Sequence, residues 1–426
     1  MKAVLLLFVI GYSLMAAQIK TIQIKGVEIP VIFEKENRLP LVNMQIVFTN
    51  SGSLSDKNKP GLAKLSARVM NEGTKTEGSI DFAQKLESKA IHIASATGKE
   101  TFVVEMSALK EYVAQASTYM QELFGDPNLS EKTLQKVQSL TLGKIVQKQN
   151  DFDYIASMEL KKILFPNTPL AQPALGTQES IATITLDDVQ SFLKKHLVLR
   201  RAIVVVGGDI SFKKLKKYLQ TILEPLEVGT QEPLQHYNAI TTPEESIVHK
   251  PTQQAYIYFG SAYNMAVNDP NYYKARVATF ILGTGGFGSR LMEEIRVKRG
   301  LAYSAYARVD ISKSVSYFHG YLQTKLASQK EAQQTVQEVI ATFVKNGVTQ
   351  EELDQTKRFL LGSEPLRVET MNQRLQKTFM DYYKGFSLDH SKEELKKIEK
   401  LTLDDLNDFI KQHQEILQLS FAIVTQ

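Results

Sequence analysis

The 426-residue sequence contains no cysteine and no tryptophan. Without a thiol there can be no disulfide scaffold, no thiolate zinc site, no iron-sulfur cluster and no cysteine nucleophile. Metal or acid-base chemistry therefore falls to His, Asp, Glu, Tyr or Ser. An excess of one charge is missing too, because 51 Lys and Arg against 46 Asp and Glu leave +5 over the whole chain. The basic residues are spread rather than gathered into an arm, which argues against a nucleic-acid partner. Their densest run, Lys213, Lys214, Lys216 and Lys217, is interrupted by Leu215 and followed by Leu219, the spacing of a solvated face on an amphipathic helix. With 43% hydrophobic residues, 23 Gly and 13 Pro, the composition is that of a globular protein. Its length suits two or three domains of roughly 150 residues.

Long apolar runs are also scarce. Met1 and Lys2 precede an apolar stretch from Ala3 to Ile10 that weakens through Met15 and ends at Ala16 and Ala17. About 13 apolar residues are too few to cross ~30 Å of hydrocarbon. The pattern is that of a secretory signal peptide over residues 1–17, cleaved near Ala17. No later stretch approaches the length of a membrane span, so the mature chain is expected to be exported, most simply to a bacterial periplasm.

What is present is a pattern of short strands followed by helices. Ile22 and Ile24, then Val27, Ile29, Val31 and Phe33, then Val42, Met44, Ile46 and Phe48 alternate with polar residues as antiparallel strands do. Pro60 and Gly61 open a helical pattern that stops near Gly73, a hairpin turns at Gly98, and helical patterns follow over 112–124, 130–148 and 154–164. Strands first and helices later make the fold class α+β. The chain also repeats itself. Thr185-Leu186-Asp187-Asp188-Val189 through His196 returns as Thr402-Leu403-Asp404-Asp405-Leu406 through His413, an offset of 217, and each copy leads into an apolar closing strand. Leu134 to Gly143 resembles Leu353 to Gly362 at an offset of 219. A helix-capping box explains each copy locally but not the matched spacing. The expected organisation is therefore two tandem homologous α/β rolls, each an antiparallel sheet flanked by helices. They would occupy residues 18–226 and 253–426, joined by an exposed linker over 227–252 that is rich in Pro, Glu, Thr and Gln.

The segment Pro60-Gly61-Leu62-Ala63-Lys64-Leu65-Ser66-Ala67-Arg68 to Gly73-Thr74 resembles the signature of the insulinase (pitrilysin) family of zinc metallopeptidases, in the branch similar to mitochondrial processing peptidase. That resemblance implies a Gly-Leu-Ala frame followed by His-x-x-Glu-His, with Gly-Thr closing the segment. Here the frame matches and the reactive residues do not. Lys64 and Arg68 stand at the two His positions, Ala67 at the general base, and Lys144 at the downstream Glu ligand. In an active motif two His four apart share one helical face, and the Glu between them deprotonates the metal-bound water. Protonated Lys and Arg offer zinc no lone pair. A unit cation about 4 Å from Zn²⁺ repels it by about 8 kcal/mol at an effective dielectric of about 20. The other histidines, among them His92, His236, His249 and His319, show no ligand spacing. No metal or other cofactor is expected in this chain.

The second half carries a positive match. Leu282-Gly283-Thr284-Gly285-Gly286-Phe287-Gly288-Ser289-Arg290-Leu291, continuing to Arg296 and Tyr303, is similar to the family's C-terminal signature. The resemblance implies that Arg296 and Tyr303 complete an active site across a cleft. An Arg fork can hold a carbonyl or carboxylate, and a phenol can donate to the oxyanion of a tetrahedral intermediate. Gly283, Gly285 and Gly288 also fit G-x-G-x-x-G, but without a βαβ unit or a P-loop Lys they do not indicate a nucleotide. The resemblance covers the mature chain and implies a half-clam that pairs with a second, homologous subunit. The expected function is that of a zinc-free subunit binding peptide and lending Arg296 and Tyr303 to a partner that bears zinc in an intact His-x-x-Glu-His. The alternative is a non-enzymatic binding or assembly subunit of the same fold, while a stand-alone protease is disfavoured by the lost ligands.

Overall fold

The structure, a computed structural model, describes residues 17–426, so the predicted signal peptide falls almost wholly outside the described residues. Two sheets divide the chain. The first is built from β1 (Gln18–Ile24), β2 (Val27–Lys35), β3 (Leu41–Thr49), β4 (His92–Thr97), β5 (Thr101–Leu109) and β6 (Ala202–Gly208), in the order β1-β2-β6-β3-β5-β4. The second uses β7 (Tyr237–Asn238), β8 (Glu245–His249), β9 (Gln254–Ala262), β10 (Ala302–Ile311), β11 (Val315–Lys325) and β12 (Ser420–Thr425), in the order β10-β11-β9-β12-β8 with β7 added beside β11. Read from its edge, β8-β12-β9-β11-β10 repeats β2-β6-β3-β5-β4 strand for strand, so the duplication seen in the sequence is a duplication of topology.

Two features differ from the sequence reading. Neither sheet is wholly antiparallel, since β6 runs parallel to β2, β12 runs parallel to β8, and the two-residue β7 runs parallel to β11. The closing strand of each half arrives after several helices, a connection long enough to return in the same direction. Inside the segment read as linker, β8 forms the edge of the second sheet. Its five residues alternate between exposed and half-buried, too short and too polar a stretch to stand out beside the Pro- and Glu-rich residues around it.

The helices explain why β6 and β12 are buried along their whole length while β5 alternates residue by residue. One face of the first sheet packs on helices of its own half, with Met44, Ile46, Phe102, Val104, Val204 and Val206 among the residues buried there. The opposite face, Ile32, Val47, Ile203 and Val205, is covered by Leu375 and Phe379 from the helix Met371–Lys384, which belongs to the second half. The second sheet mirrors this arrangement. Ala262, Val315, Tyr317 and Ala422 meet Leu160, Ile163 and Leu164 from the helix Phe152–Leu164 of the first half. The two helices start at residues 152 and 371, a difference of 219, so they are equivalent elements of the repeat that have exchanged places. Contact is close. A Cβ on Gly207 would lie 2.5 Å from Leu375 Cδ1, and one on Gly260 would lie 3.0 Å from Leu164 Cδ1. Polar ties reinforce both exchanges. Arg374 donates to the buried Glu34 at 2.9 and 2.5 Å, and Gln323 and Tyr258 donate to Asp153 at 2.6 and 3.2 Å. Glu100, buried between the halves, accepts from Ser314 N–H at 3.0 Å, from the Ser314 hydroxyl, and from Tyr383 Oη at 2.7 Å.

The repeat-end histidine His196 is buried, stacked on Phe192 with ring centroids 4.3 Å apart, and sits 3.1 Å from the Arg201 guanidinium. Burial, and then the Arg201 charge, push its pKa down to about 4. His319 is likewise held at about 4, by burial and then by Arg308. Both rings are neutral in the fold and titrate near 6.5 once unfolded, so the unfolded chain binds more protons between those values. Stability is fully present above pH ~6.5 and is lost as pH falls toward ~4.

Three outcomes are expected. Residues 18–226 expressed alone leave the second face of the first sheet bare, so this half should aggregate or bind hydrophobic dye, and co-expression of residues 227–426 should rescue it. Within the intact chain Leu164→Ala should cost about 2 to 5 kcal/mol, measurable by urea unfolding; a loss below that range would mean that the exchanged helix is loosely seated. In thermal melts from pH 7 to pH 4, the wild type should lose on the order of 3 kcal/mol for His196 alone. His196→Gln should flatten the profile, and an unchanged profile would show that His196 does not titrate in this way.

Candidate functional site

The helix Leu62–Met70 carries the degenerate motif, and the residues framing it serve the backbone. Asp56 accepts from the N–H groups of Gly61 and Ala63 at 2.8 and 2.7 Å, closing the free end of the helix. Gly61 has φ +94°, and a Cβ there would lie 2.8 Å from Ile181 and 2.9 Å from Gly176 Cα. Gly73, at φ +78°, ends the segment where a Cβ would lie 2.4 Å from the Gly78 carbonyl oxygen. Only glycine fits either place.

Inside this frame Lys64 and Arg68, four residues apart, share one half-buried face, while Ala67 is 2% exposed and packs into the core of the first half. Arg68 Nη1 donates to Thr141 Oγ1 at 2.7 Å, which ties it to the helix Glu131–Lys148. Lys144 lies one turn beyond Thr141. The Lys64 ammonium is depressed below its ordinary pKa first by burial and then by the charges of Arg68, Lys144 and Lys148, and burial also lowers Arg68. The structure thus gathers Lys64, Arg68 and Lys144 and adds Lys148, one turn further on, which the sequence reading did not single out. Lys148 is paired with Asp151 at 2.5 Å. No ion pair to a carboxylate forms at Lys64, Arg68 or Lys144 among the described residues. Such a donor set does not fit zinc, and the described residues contain no group of three or more His, Cys, Asp or Glu placed to hold a metal.

The second constellation is built differently. Gly283 lies against β10, where a Cβ would come 2.5 Å from the Ala307 backbone nitrogen, so the glycine-rich turn permits close packing. Arg290 is anchored bidentately to Glu352 at 2.7 and 2.8 Å and to the Gly347 carbonyl at 2.8 Å, a structural role that accounts for the Ser-Arg-Leu of the signature. Arg296 sits in a π-helical turn, Glu293–Lys298, a local widening often found at functional sites. Gly300, at φ +60°, then turns the chain into β10. The ladder between β10 and β11 is irregular between Ala302 and Ala305. This irregularity leaves Tyr303 81% exposed. The Arg296 guanidinium lies 4.2 Å from the centroid of Tyr303 and 4.5 Å from that of Phe287, itself 66% exposed. A cation between two rings is a favourable stack. Among the described residues neither the Tyr303 hydroxyl nor Arg296 has a hydrogen-bond or ion-pair partner. Phe287 was missed in the sequence, where it passes as one more residue of a glycine-rich turn. No hydrogen bond or ion pair among the described residues joins this stack to Lys64, Arg68 and Lys144.

Comparison with known proteins agrees with both matches. Residues 32–178 match a family profile described as insulinase (peptidase family M16), and residues 183–360 match one described as peptidase M16 inactive domain. A non-peptidase homolog YmxG from Helicobacter pylori is 43% identical over 427 aligned positions that span 100% of this chain and 99% of that protein. An uncharacterized zinc protease YmxG from Bacillus subtilis is 24% identical over 74% of this chain and 76% of its own length. A peptidase M16 inactive domain from Pseudomonas fluorescens shares the fold with a TM-score of 0.87 at 24% identity, over 96% of this chain and 98% of that one. Framed by the same glycines but emptied of zinc ligands, this chain belongs to the insulinase (M16) peptidase family.

Proposed function

We propose that this chain is the zinc-free member of a periplasmic heterodimeric peptidase, a subunit that binds extended peptide and presents Arg296 and Tyr303 to the zinc site of a homologous partner with an intact His-x-x-Glu-His. One observation carries the reading. The ligand and base positions are all replaced, whereas Arg296 and Tyr303 are held at the surface with their donors unspent. An arginine kept only for packing is expected to be paired within the chain, as Arg290 is with Glu352. A phenol kept only for packing has no reason to be this exposed. In the complex the Tyr303 hydroxyl would donate to the oxyanion that develops during peptide cleavage, and Arg296 would hold the peptide backbone. β4 and β10 lie at sheet edges, where unpaired backbone groups can receive an extended chain. The N-terminal apolar segment supports export.

A second reading, a binding or assembly subunit without catalytic duty, draws on the same exposed stack, because aromatic rings and arginine are favoured anchors of protein interfaces. The two readings part at Tyr303. In a reconstituted heterodimer Tyr303→Phe should leave assembly intact and lower kcat by on the order of 10² to 10³ with little change in KM. Arg296→Ala should act mainly on KM. Steady-state cleavage of a fluorogenic peptide measures both. Wild-type turnover by the Tyr303→Phe complex, with assembly lost on Arg296→Ala, would leave the assembly reading in place.

Elemental analysis of the purified mature chain should find no stoichiometric zinc. One chelatable zinc per chain, lost on mutating a defined site, would overturn the zinc-free assignment.

A further inference from the structure

We propose that the socket made by Lys64, Arg68 and Lys144 binds a carboxylate of the peptide ligand, supplied by an Asp or Glu side chain or by the C-terminal group. The proposal rests on the peptide-binding reading and adds the charge class of the peptide.

The arginines of the chain give the first reason. Six are buried or half-buried: Arg68, Arg201, Arg276, Arg290, Arg296 and Arg374. Four of these have a carboxylate within 4 Å, namely Glu232, Glu394, Glu352 and Glu34. Arg68 and Arg296 do not, and they occupy the two constellations already singled out. Arg296 is compensated by two aromatic rings. Arg68 donates to a hydroxyl, Thr141, and adds its charge to those of Lys144 and Lys148 around Lys64.

Location gives the second reason. Removing charge from water without a counter-charge is costly, and like charges packed on one face add to that cost. The chain carries this cost where two helices are fixed side by side, Leu62–Met70 against Glu131–Lys148, on rigid backbone rather than on a loop. A folded protein keeps such an uncompensated group where a ligand supplies the missing charge. Thr141 occupies one nitrogen of the Arg68 fork, so other guanidinium donors and the two ammonium groups remain for an incoming oxyanion. The nearby acid Asp151 is committed to Lys148 and does not fill the socket.

Two polar cavities elsewhere in the fold show no such imbalance. The one containing Arg201 includes Glu232. The one lined by Asn43, Gln45, His92 and Glu105 is knitted by its own hydrogen bonds.

Fluorescence anisotropy with the full mature chain tests the proposal, using three labelled peptides that share one scaffold. One carries an internal Glu and an amidated C-terminus, one carries Gln and an amidated C-terminus, and one carries Gln and a free C-terminus. At least one acid-bearing peptide should bind about tenfold or more tighter than the neutral one. Which of them gains identifies the source of the carboxylate, and the gain should shrink as salt is raised. In Lys64→Gln/Arg68→Gln the gain should vanish while the neutral peptide binds as before. Lys64→Gln alone should melt higher than the wild type, because it removes a like charge, and Lys144→Gln, at an exposed position, gives a second variant that folding defects cannot obscure.

Equal binding of all three peptides overturns the carboxylate proposal and leaves peptide binding standing, as does a gain that survives in the double variant. Inorganic phosphate displacing the acidic peptide far better than acetate at equal ionic strength assigns the socket to phosphate and overturns it too. Failure of every peptide to bind, alone or in the reconstituted heterodimer, removes the peptide reading and this proposal with it.

Discussion

Each sheet of this protein is sealed on its second face by a helix that belongs to the other half. Leu160, Ile163 and Leu164 are buried on the second sheet, and Leu375 and Phe379 on the first. Neither half therefore completes its core alone, although each has the full strand order of the repeat. Buried polar groups follow the same route, with Glu34 held by Arg374 and Glu100 held by Ser314 and Tyr383. The degenerate zinc helix and the Arg296 stack lie in different halves, so this exchange is what fixes each relative to the other.

The two signature segments separate into residues that hold backbone and residues whose polar groups are left free of it. Gly61, Gly73 and Gly283 allow approaches that any side chain would block, and Arg290 is a bidentate tie to Glu352. Selection for folding alone would keep these residues. Lys64, Arg68 and Lys144 are not needed by the frame in that sense, and none of them is a zinc ligand. Arg296 and Tyr303 are not needed by it either, and they stack against one another with their donors free. This contrast, rather than the overall likeness, gives the second constellation its weight.

Much of this was legible in the sequence because it rests on local periodicity. The alternation in β5, the stop at Gly73 and the capping threonines Thr185 and Thr402 all appear where the pattern placed them. The offset near 219 correctly signalled a duplicated fold. The exchange itself was not legible. An amphipathic helix such as Phe152–Leu164 shows an apolar face without naming the sheet that receives it. The nearest hint was the unbroken apolar run of Ala202 to Val206, which a strand with one solvated face does not need. The parallel ladders of β6 and β12 depend on where a long connection returns, which periodicity does not encode. Lys64 and Arg68 could be paired by helical spacing, but their contact with Lys144 depended on the alignment to the family. Phe287 joins its site through a tertiary contact, whereas Lys148 follows Lys144 by one helical turn.

The glycine frame around Leu62–Met70 has one more consequence. Since Asp56, Gly61 and Gly73, together with the buried face of Leu62, Leu65 and Val69, set the course of the main chain without help from Lys64 or Arg68, the backbone of the motif stands independently of the charges it carries. The sign of the charge presented at this place is thus set by a few side chains on a fixed mount, and not by the fold.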